Sequence, residues 1–263
     1  MFAPLYSNIV KFVYSNYDST TKFKLLIVNQ EDQMKIAIIA AMEEEVAILK
    51  SKITHYHVER HLEYDFHLGQ IANCEIVLLQ SGIGKVAAAS GTTLLLNNYK
   101  VDAVINTGSA GGLSSELNIG DIIVSKEVFY HDVDLTAFGY KPGQMSGCPV
   151  AFEADSKYQL LAKTSIKKHG VNAVEGSIGS GDAFINGKSN LERIRQTFPD
   201  AIAVEMEAAA IGHVCWLYKT PFVVVRAISD NGDSESAVDF QSFLKVAAAQ
   251  SSLIVESMLS ELA

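Results

Sequence analysis

Short β-rich apolar runs alternate with stretches of helical periodicity from Met34 onward, and this alternation restricts the chain to the α/β folds. The runs predict strands, several of them buried on both faces, at residues 35–40, 74–80, 103–107, 121–125, 173–178 and 222–228. The periodic stretches predict helices at residues 43–51, 85–97, 156–169, 191–198, 207–218 and 240–262. No internal repeat or linker interrupts this order, so residues 34–263 are predicted to form one domain with helices over a largely parallel or mixed sheet.

The first 33 residues have a different composition. All 18 glycines follow residue 33, and the three lysines of the segment balance its three acidic residues, so the formal net charge of −9 lies entirely in residues 34–263. No small-residue cleavage site follows its apolar stretch, which disfavours a secretory signal. Because the string MKIAIIA could itself begin a chain at Met34, we expect residues 1–33 to be an extension that is dispensable for activity or poorly ordered.

The charge balance narrows the possible partners. The sequence has 21 Lys and Arg against 30 Asp and Glu and no basic cluster, so it disfavours nucleic acid and anionic membrane surfaces as partners. Its longest apolar runs fall short of the ~18 residues that a membrane span requires. The three cysteines, Cys74, Cys148 and Cys215, form no CxxC pair, which is typical of a protein in a reduced, cytoplasmic setting.

Two glycine-containing stretches approach nucleotide-binding motifs. Residues 82–87, GIGKVA, match the GxGxxA pattern of dinucleotide sites, but no acidic residue ends the next predicted strand. Residues 182–189 end in Gly-Lys-Ser as a phosphate-binding loop does, yet Asp182 takes the place of the first glycine, where a carboxylate would repel a triphosphate. We therefore expect both stretches to form tight turns between strands and helices.

The histidines and cysteines do not favour metal or covalent chemistry. His131, Asp132 and Asp134 are residue types that bind metals, but a surface turn is the preferred interpretation. The four histidines between residues 55 and 67 are irregularly spaced and lack a nearby cysteine, which favours solvated strand and loop positions. Cys215 lies on an apolar helix face, where packing is the ordinary role of a thiol.

Three carboxylates offer a more specific hypothesis. Glu45, Glu207 and Asp230 each follow a short apolar run, and ligands of α/β sheets gather at the carboxyl ends of strands. Taken singly, each acid could equally cap a helix or interact with a helix dipole. Taken together beside glycine-rich turns, they suit a substrate with vicinal hydroxyls and a cation-like transition state, as in glycoside cleavage.

Six strings distributed from Met34 to the C-terminus carry a family resemblance: MKIAIIAAMEEEV, SGIGKVAAA, NTGSAGGL, GDAFING, AVEMEAAAI and VVVRAISD. In this order and spacing they resemble the bacterial 5′-methylthioadenosine/S-adenosylhomocysteine nucleosidases of the nucleoside phosphorylase superfamily. The resemblance implies a three-layer α/β/α fold around a mixed sheet, a homodimer, and no cofactor or metal. It also implies irreversible hydrolysis of an N-glycosidic bond to adenine and a 5-thioribose sugar, in methionine salvage and the removal of methyl-cycle products.

The resemblance implies roles for the three acids. Glu45 matches the glutamate that activates water, and Asp230 matches the aspartate that protonates the purine. Cleavage would expel an adenine anion unless a ring nitrogen gained a proton, so Asp230 must be protonated when substrate is bound. Glu207 matches the glutamate that holds the ribose hydroxyls and places negative charge near the developing sugar cation.

The same resemblance implies which other residues surround the substrate. They are Ser109 and Arg226 beside the water, Gly111 and Met206 beside the ribose, Phe184 and Ile185 at the adenine, Ser229 orienting the acid, and Met42, Ile83 and Phe240 around the 5′-thio group. Leu135 and Phe138 are implied to enter the site of the second subunit, so residues 135–147 are predicted to be an interface loop.

Three alternatives remain open from the sequence. Phosphorylases of the superfamily hold phosphate with arginines near the first loop, where this chain carries Glu43, Glu44 and Glu45, so hydrolysis is preferred. A nucleosidase for another purine substrate is compatible with the lightly specified 5′ pocket, and 5′-deoxyadenosine is a further expected substrate. A non-catalytic storage or binding relative would be expected to lose the acids that are present here.

Overall fold

The computed structural model describes residues 33–231 and 236–262, with side chains from Phe240 onward in the second range. The strands in these ranges are β1 (Lys35–Ala40), β2 (Thr54–His61), β3 (Tyr64–Ile71), β4 (Cys74–Gln80), β5 (Ala103–Gly112), β6 (Ile122–Tyr130), β7 (Phe152–Glu153), β8 (Ala173–Ser180), β9 (Ala201–Glu205) and β10 (Phe222–Asp230). The helices are α1 (Glu43–Lys52), α2 (Lys85–Asn98), α3 (Ser156–Lys168), α4 (Lys188–Thr197), α5 (Ala208–Tyr218) and α6 (Ser236–Leu262). The predicted extension, apart from Gln33, lies outside the described residues.

All the strands belong to one mixed sheet. Five of them close a ring, because β10 pairs with both β6 and β5, and the path between them runs through β8 and β9. The strands β1, β4, β3 and β2 continue the sheet outward from β5. β1, β4, β5 and β10 run parallel to one another, whereas β6 is antiparallel to β10 and β9 is antiparallel to β5. The mixed sheet implied by the family resemblance is thereby confirmed.

Strands that run in opposite directions meet at their carboxyl ends. β5 and β9 pair only where Gly111 lies opposite Val204 and Gly112 opposite Ala203, close to the last residue of each strand. β10 ends beside the same place, and an irregularity in its pairing with β5 falls between Ile228 and Asp230. Bulges of this kind redirect the side chains beyond them. Residues from oppositely running strands therefore converge on one spot.

Helices cover both faces of the sheet. In β1, Ile36 and Ile38 belong to a core that α1, α3 and α6 close on one face, whereas Ala37 and Ile39 belong to a core closed by α2 and α5 on the other. Successive strand residues point to opposite faces, so a strand that is covered on both sides is apolar throughout. The central strands are continuous apolar runs for this reason, and the architecture is the expected three layers. None of the helices in the described ranges has the length and apolar character needed to cross a membrane.

All six predicted strands and all six predicted helices are present, with ends that differ by a few residues. The prediction missed β2, β3, β7 and β9. β2 is exposed along most of its length, so it has no apolar run that would reveal it, and β9 is only five residues long. Two histidines also depart from expectation. His67 is buried, with Nδ1 2.8 Å from the Tyr56 hydroxyl, and desolvation lowers its pKa. His131, expected on a surface turn, is buried as well.

Candidate active site

A cavity of about 240 Å³ lies where the carboxyl ends of the strands converge. It is lined by thirteen residues that the sequence analysis singled out: Met42, Glu45, Ile83, Ser109, Gly111, Phe184, Ile185, Met206, Glu207, Arg226, Ser229, Asp230 and Phe240. Two other predicted residues, Leu135 and Phe138, are described but do not line this cavity. The strands and loops thus bring one set of predicted residues together and leave that pair outside.

The first turn of α1 holds the carboxylate of Glu45. Its Oε2 accepts hydrogen bonds from the N–H groups of Ala41 and Met42 at 3.0 and 3.2 Å. Its Oε1 accepts from both the N–H and the hydroxyl of Ser109, each at 3.0 Å. Only 1% of the residue is exposed. Four hydrogen-bond donors hold this buried carboxylate at the start of α1, so helix capping and a place in the site are compatible.

Gly108 permits the carboxylate and the guanidinium of Arg226 to approach the same backbone. Its φ of +146° suits glycine, and a Cβ atom there would lie 2.6 Å from Glu45 Oε1 and 2.9 Å from Arg226 Nη1. Both distances are shorter than real side chains tolerate. A side chain at this position would therefore displace either the Glu45 carboxylate or the Arg226 guanidinium from the floor of the cavity.

Arg226 is the buried cation of the site. The residue is 1% exposed. Its Nη1 donates to the Ser109 carbonyl at 2.8 Å, and its Nη2 donates to Asn106 Oδ1 at 3.0 Å. Nη2 also lies 2.6 Å from Glu205 Oε2 and 3.3 Å from Glu207 Oε2. Burial opposes the charged guanidinium, but the neighbouring carboxylates raise its pKa. Arg226 therefore remains a cation.

Glu205 was missing from the predicted site, yet it organises much of it. Its Oε2 accepts the N–H groups of Glu207 and Ala208 at 2.9 and 2.8 Å, at the start of α5, and its Oε1 accepts the Ser180 hydroxyl. The same carboxylate binds Arg226. The available sequence signal was its spacing from Glu207, since residues two apart at the end of a strand can point to the same side.

Glu207 lies between the start of α2 and Arg226. Its Oε1 accepts the N–H of Gly84 at 2.9 Å, and its Oε2 faces Arg226. Burial and then the nearby charge of Glu205 raise its pKa to about 7, although Arg226 acts in the opposite direction. In the empty cavity Glu207 therefore binds a proton below neutral pH more readily than an ordinary glutamate does.

Asp230 lies at the end of β10 and is 2% exposed. Its Oδ2 accepts the Ser229 hydroxyl at 3.0 Å, so the serine orients the carboxyl group. Gly111 approaches closely on one side, because a Cβ atom at that residue would lie 3.0 Å from Asp230 Oδ1. The glycine leaves the carboxyl group open to the cavity.

Apolar side chains form the mouth. The rings of Phe184 and Phe240 meet at 5.7 Å between centroids and 67° between planes, an edge-to-face contact. Phe184 is 44% exposed and Ile83 57% exposed. A ligand with a flat aromatic base and an apolar substituent would cover these surfaces.

The turn after β6 does not form a metal site. Asp134 accepts the N–H and hydroxyl of Thr136 at 2.9 and 2.7 Å, and Asp132 binds Lys85. Across residues 33–231 and 236–262, no three His, Cys, Asp or Glu side chains are arranged to hold a metal ion.

Known proteins resemble this chain in sequence and in fold. The family profile of the phosphorylase superfamily matches residues 35–260. A 5′-methylthioadenosine/S-adenosylhomocysteine nucleosidase from Colwellia psychrerythraea 34H, solved with adenine, is similar at 48% identity and a TM-score of 0.86, over 88% of this chain and 96% of that one. One from Neisseria meningitidis, solved with methylthio-immucillin-A, is similar at 39% identity and a TM-score of 0.85, over 86% and 99%. A futalosine hydrolase mutant from Helicobacter pylori is similar at 34% identity and a TM-score of 0.83, over 87% and 99%.

The raised pKa of Glu207 predicts a pH-dependent stability. A carboxyl group whose pKa is raised by folding stabilises the protein fully below the pKa of the unfolded chain, about 4.3, and loses that contribution as pH rises through about 7. In the empty protein, the free energy of unfolding of the wild type relative to Glu207→Gln should fall between pH 5 and 7, by at most about 1.4 kcal/mol per pH unit. Urea unfolding at several pH values measures this difference.

Glu192→Gln is the matched control, because the Glu192 side chain is 52% exposed on α4. Its free energy of unfolding relative to the wild type should change little over the same range. A Glu207→Gln curve that stays parallel to the wild type from pH 5 to 7 would show that Glu207 titrates as an ordinary glutamate.

Proposed function

The chain belongs to the 5′-methylthioadenosine/S-adenosylhomocysteine nucleosidases of the phosphorylase superfamily, and from this we propose that its cavity hydrolyses the N-glycosidic bond of adenine nucleosides with a 5′-thio substituent. The substrates are 5′-methylthioadenosine and S-adenosylhomocysteine, with 5′-deoxyadenosine as a further one. The products are adenine and the 5-thioribose sugar.

The observation that carries this proposal is the placement of Glu45, Glu207 and Asp230 around one cavity. Asp230 donates a proton to the purine, so that adenine leaves as a neutral base. Glu207 binds the ribose hydroxyls, with Met206 packed on the sugar, and the surrounding carboxylates stabilise positive charge as it develops on the ribosyl carbon.

Glu45 positions and deprotonates the attacking water, which we place between Glu45, Arg226 and Ser109. Its four hydrogen bonds fix the position of the carboxylate. A strong base is not required, because an oxocarbenium-like carbon attracts even a poorly nucleophilic water. The firm attachment of the carboxylate instead contributes orientation.

The charges around the cavity support hydrolysis rather than phosphorolysis. Among the described residues that line it, Arg226 is the only cation, and Glu205 and Glu207 already bind its Nη2. A phosphate dianion in the place of the water would approach Glu45 without a cation of its own. Like charges at short distance in a desolvated cavity repel strongly, so water is the favoured nucleophile.

The remaining residues fit the nucleoside. We propose that Phe184 stacks on adenine and that the backbone of Ile185 contacts the purine edge, with Gly111 on the ribose and purine side. Met42, Ile83 and Phe240 form the wall around the 5′-thio group. Methionine salvage and removal of methyl-cycle products are the cellular roles that we propose, in the cytoplasm. The free thiols of the described cysteines are consistent with a reducing compartment.

We further propose a homodimer in which Leu135 and Phe138 complete the site of the partner. Phe138 is 79% exposed in a short turn, Thr136–Phe138, and Val86 and Leu217 are 77% and 60% exposed on the first turn of α2 and the last turn of α5. The exposed ring of Phe138 is therefore accessible to a partner, as the role implied by the family resemblance requires.

Adenine release tests the function. Purified protein incubated with 5′-methylthioadenosine should release adenine at the same rate with and without phosphate. Asp230→Asn should bind substrate but lose about 10²–10⁴-fold in kcat, because an amide of the same size does not donate the required proton. Asp200→Asn, on an exposed turn, is the matched control and should retain the wild-type rate.

Each outcome decides between the alternatives. Strict dependence on phosphate would identify a phosphorylase, and no release from any adenine nucleoside would favour a binding protein. Futalosine belongs in the substrate series because one similar structure is a futalosine hydrolase. Near-normal turnover of Asp230→Asn would remove Asp230 from the role of the acid.

Mixing of variants tests the shared site. Phe138→Ala alone should raise KM, and Asp230→Asn alone should be nearly inactive. If Phe138 acts across the interface, a mixed dimer contains one site with both an intact Asp230 and an intact Phe138. Mixing an excess of Asp230→Asn with Phe138→Ala should then restore the low KM, whereas an unchanged KM in a verified mixed dimer would place Phe138 outside the partner site.

A further inference from the structure

Three charged residues outside the cavity lining meet where three loops converge, and we call Lys85, Asp132 and Asp182 the clasp. Lys85 Nζ lies 2.7 and 2.6 Å from the two carboxylate oxygens of Asp132. It also lies 3.9 Å from Asp182 Oδ2. The side chains of Lys85 and Asp132 are 22% and 26% exposed, so this ion pair is partly shielded from water.

The clasp binds main chain as well as side chains. The N–H of Asp182 donates to Asp132 Oδ2 at 2.9 Å, and the N–H of Lys85 donates to Asp182 Oδ1 at 2.7 Å. Each member is therefore linked to both others. Exposed ion pairs contribute little because their side chains move freely, but a carboxylate that binds a loop amide restricts the loop itself.

Two members of the clasp immediately adjoin substrate-facing residues. Lys85 follows Ile83 and Gly84, and the N–H of Gly84 binds Glu207. Asp182 precedes Ala183, Phe184 and Ile185, all of which line the cavity. The clasp thus joins the glycine loop, residues 81–85, to the purine loop, residues 181–185.

Close packing keeps the two loops together beneath the clasp. A Cβ atom at Gly181 would collide with the ring of His131, and one at Gly84 would lie 3.0 Å from Asp182 Oδ1. Burial lowers the pKa of His131, which favours its neutral form. Lys85 Nζ also lies 5.3 Å from the centre of the Tyr130 ring, within the range of a cation–π contact.

The carboxyl group of Asp132 remains ionised within the clasp. Desolvation opposes ionisation, but the hydrogen bonds from Lys85 and from the Asp182 amide outweigh it and lower the pKa of Asp132. The anionic carboxylate is consequently a permanent acceptor for both loops. Lys85 and Asp182 belong to the two stretches that approach nucleotide-binding motifs in the sequence. In the structure each binds the segment that contains the other, and not a phosphate.

We propose that Asp132 is a positioning residue that fixes the purine loop against the glycine loop and so sets the affinity of the site for adenine. The inference rests on the proposed function, because it takes adenine as the ligand of the purine loop. Asp132 touches neither the cavity nor the reacting atoms, so its effect is on binding of the base and not on bond cleavage.

Asp132→Asn tests the proposal, since the amide keeps the shape but loses the charged bond to Lys85. The dissociation constant of adenine, measured by calorimetry, and the KM for 5′-methylthioadenosine should each rise about tenfold, while kcat changes by less than about threefold. Lys85→Met should reproduce both effects. The double variant should bind adenine no more weakly than either single variant does. All three variants remove the same ion pair between Lys85 and Asp132.

Glu175→Gln is the matched control, since Glu175 forms a similar ion pair with Lys163 at 2.8 Å, near the start of β8 and away from its cavity end. It should leave adenine binding unchanged. Unaltered adenine binding in Asp132→Asn, a fall in kcat equal to the fall in kcat/KM, or additive effects in the double variant would each overturn the proposal. If the wild type binds adenine but releases none from any nucleoside, the proposed function fails instead.

Discussion

One buried guanidinium serves a cavity that contains four acids. Arg226 contacts Glu205 and Glu207, while Glu45 and Asp230 line the same space. Desolvated charges are costly unless they are paired, and here the acids outnumber the cation. After burial, which is the larger cause, the imbalance raises the pKa of Glu207 through the nearby charge of Glu205. It also makes the cavity more favourable to a cation than to an anion, which suits a ribosyl group that becomes positive in the transition state.

Helix N-termini supply hydrogen bonds to the buried carboxylates that Arg226 alone does not supply. Glu45 accepts N–H groups at the start of α1, Glu205 accepts those at the start of α5, and Glu207 accepts the N–H of Gly84 just before α2. Each of these ends carries partial positive charge and unpaired amides. The fold therefore holds three glutamates in one cavity by directing three helix starts toward it. Capping and a place in the cavity, which the sequence presents as alternatives for Glu45, are compatible in the structure.

The parts that could be predicted from the sequence are those with a local signature. Strands covered on both faces are continuous apolar runs, as in β1 and β4, and can be located without knowledge of their neighbours. β2 could not be, because its partner is β3 alone and most of its side chains face water. The contacts of Glu205 likewise depend on Arg226 and Ser180, which are distant in sequence and adjacent only after β8, β9 and β10 assemble. The family resemblance indicated thirteen residues that line the cavity, whereas Leu135 and Phe138, which it also indicated, lie outside the cavity lining.

The start of α2 connects the charge in the cavity to the loops around it. Gly84 and Lys85 present two consecutive N–H groups, of which the first binds Glu207 inside the cavity and the second binds Asp182 outside it. The φ of +93° at Gly84 suits glycine and brings this backbone within reach of Asp182. One short piece of backbone thus holds a carboxylate that lines the cavity and a carboxylate of the clasp. The positions of Glu207 and of the purine loop are therefore both fixed against the glycine loop.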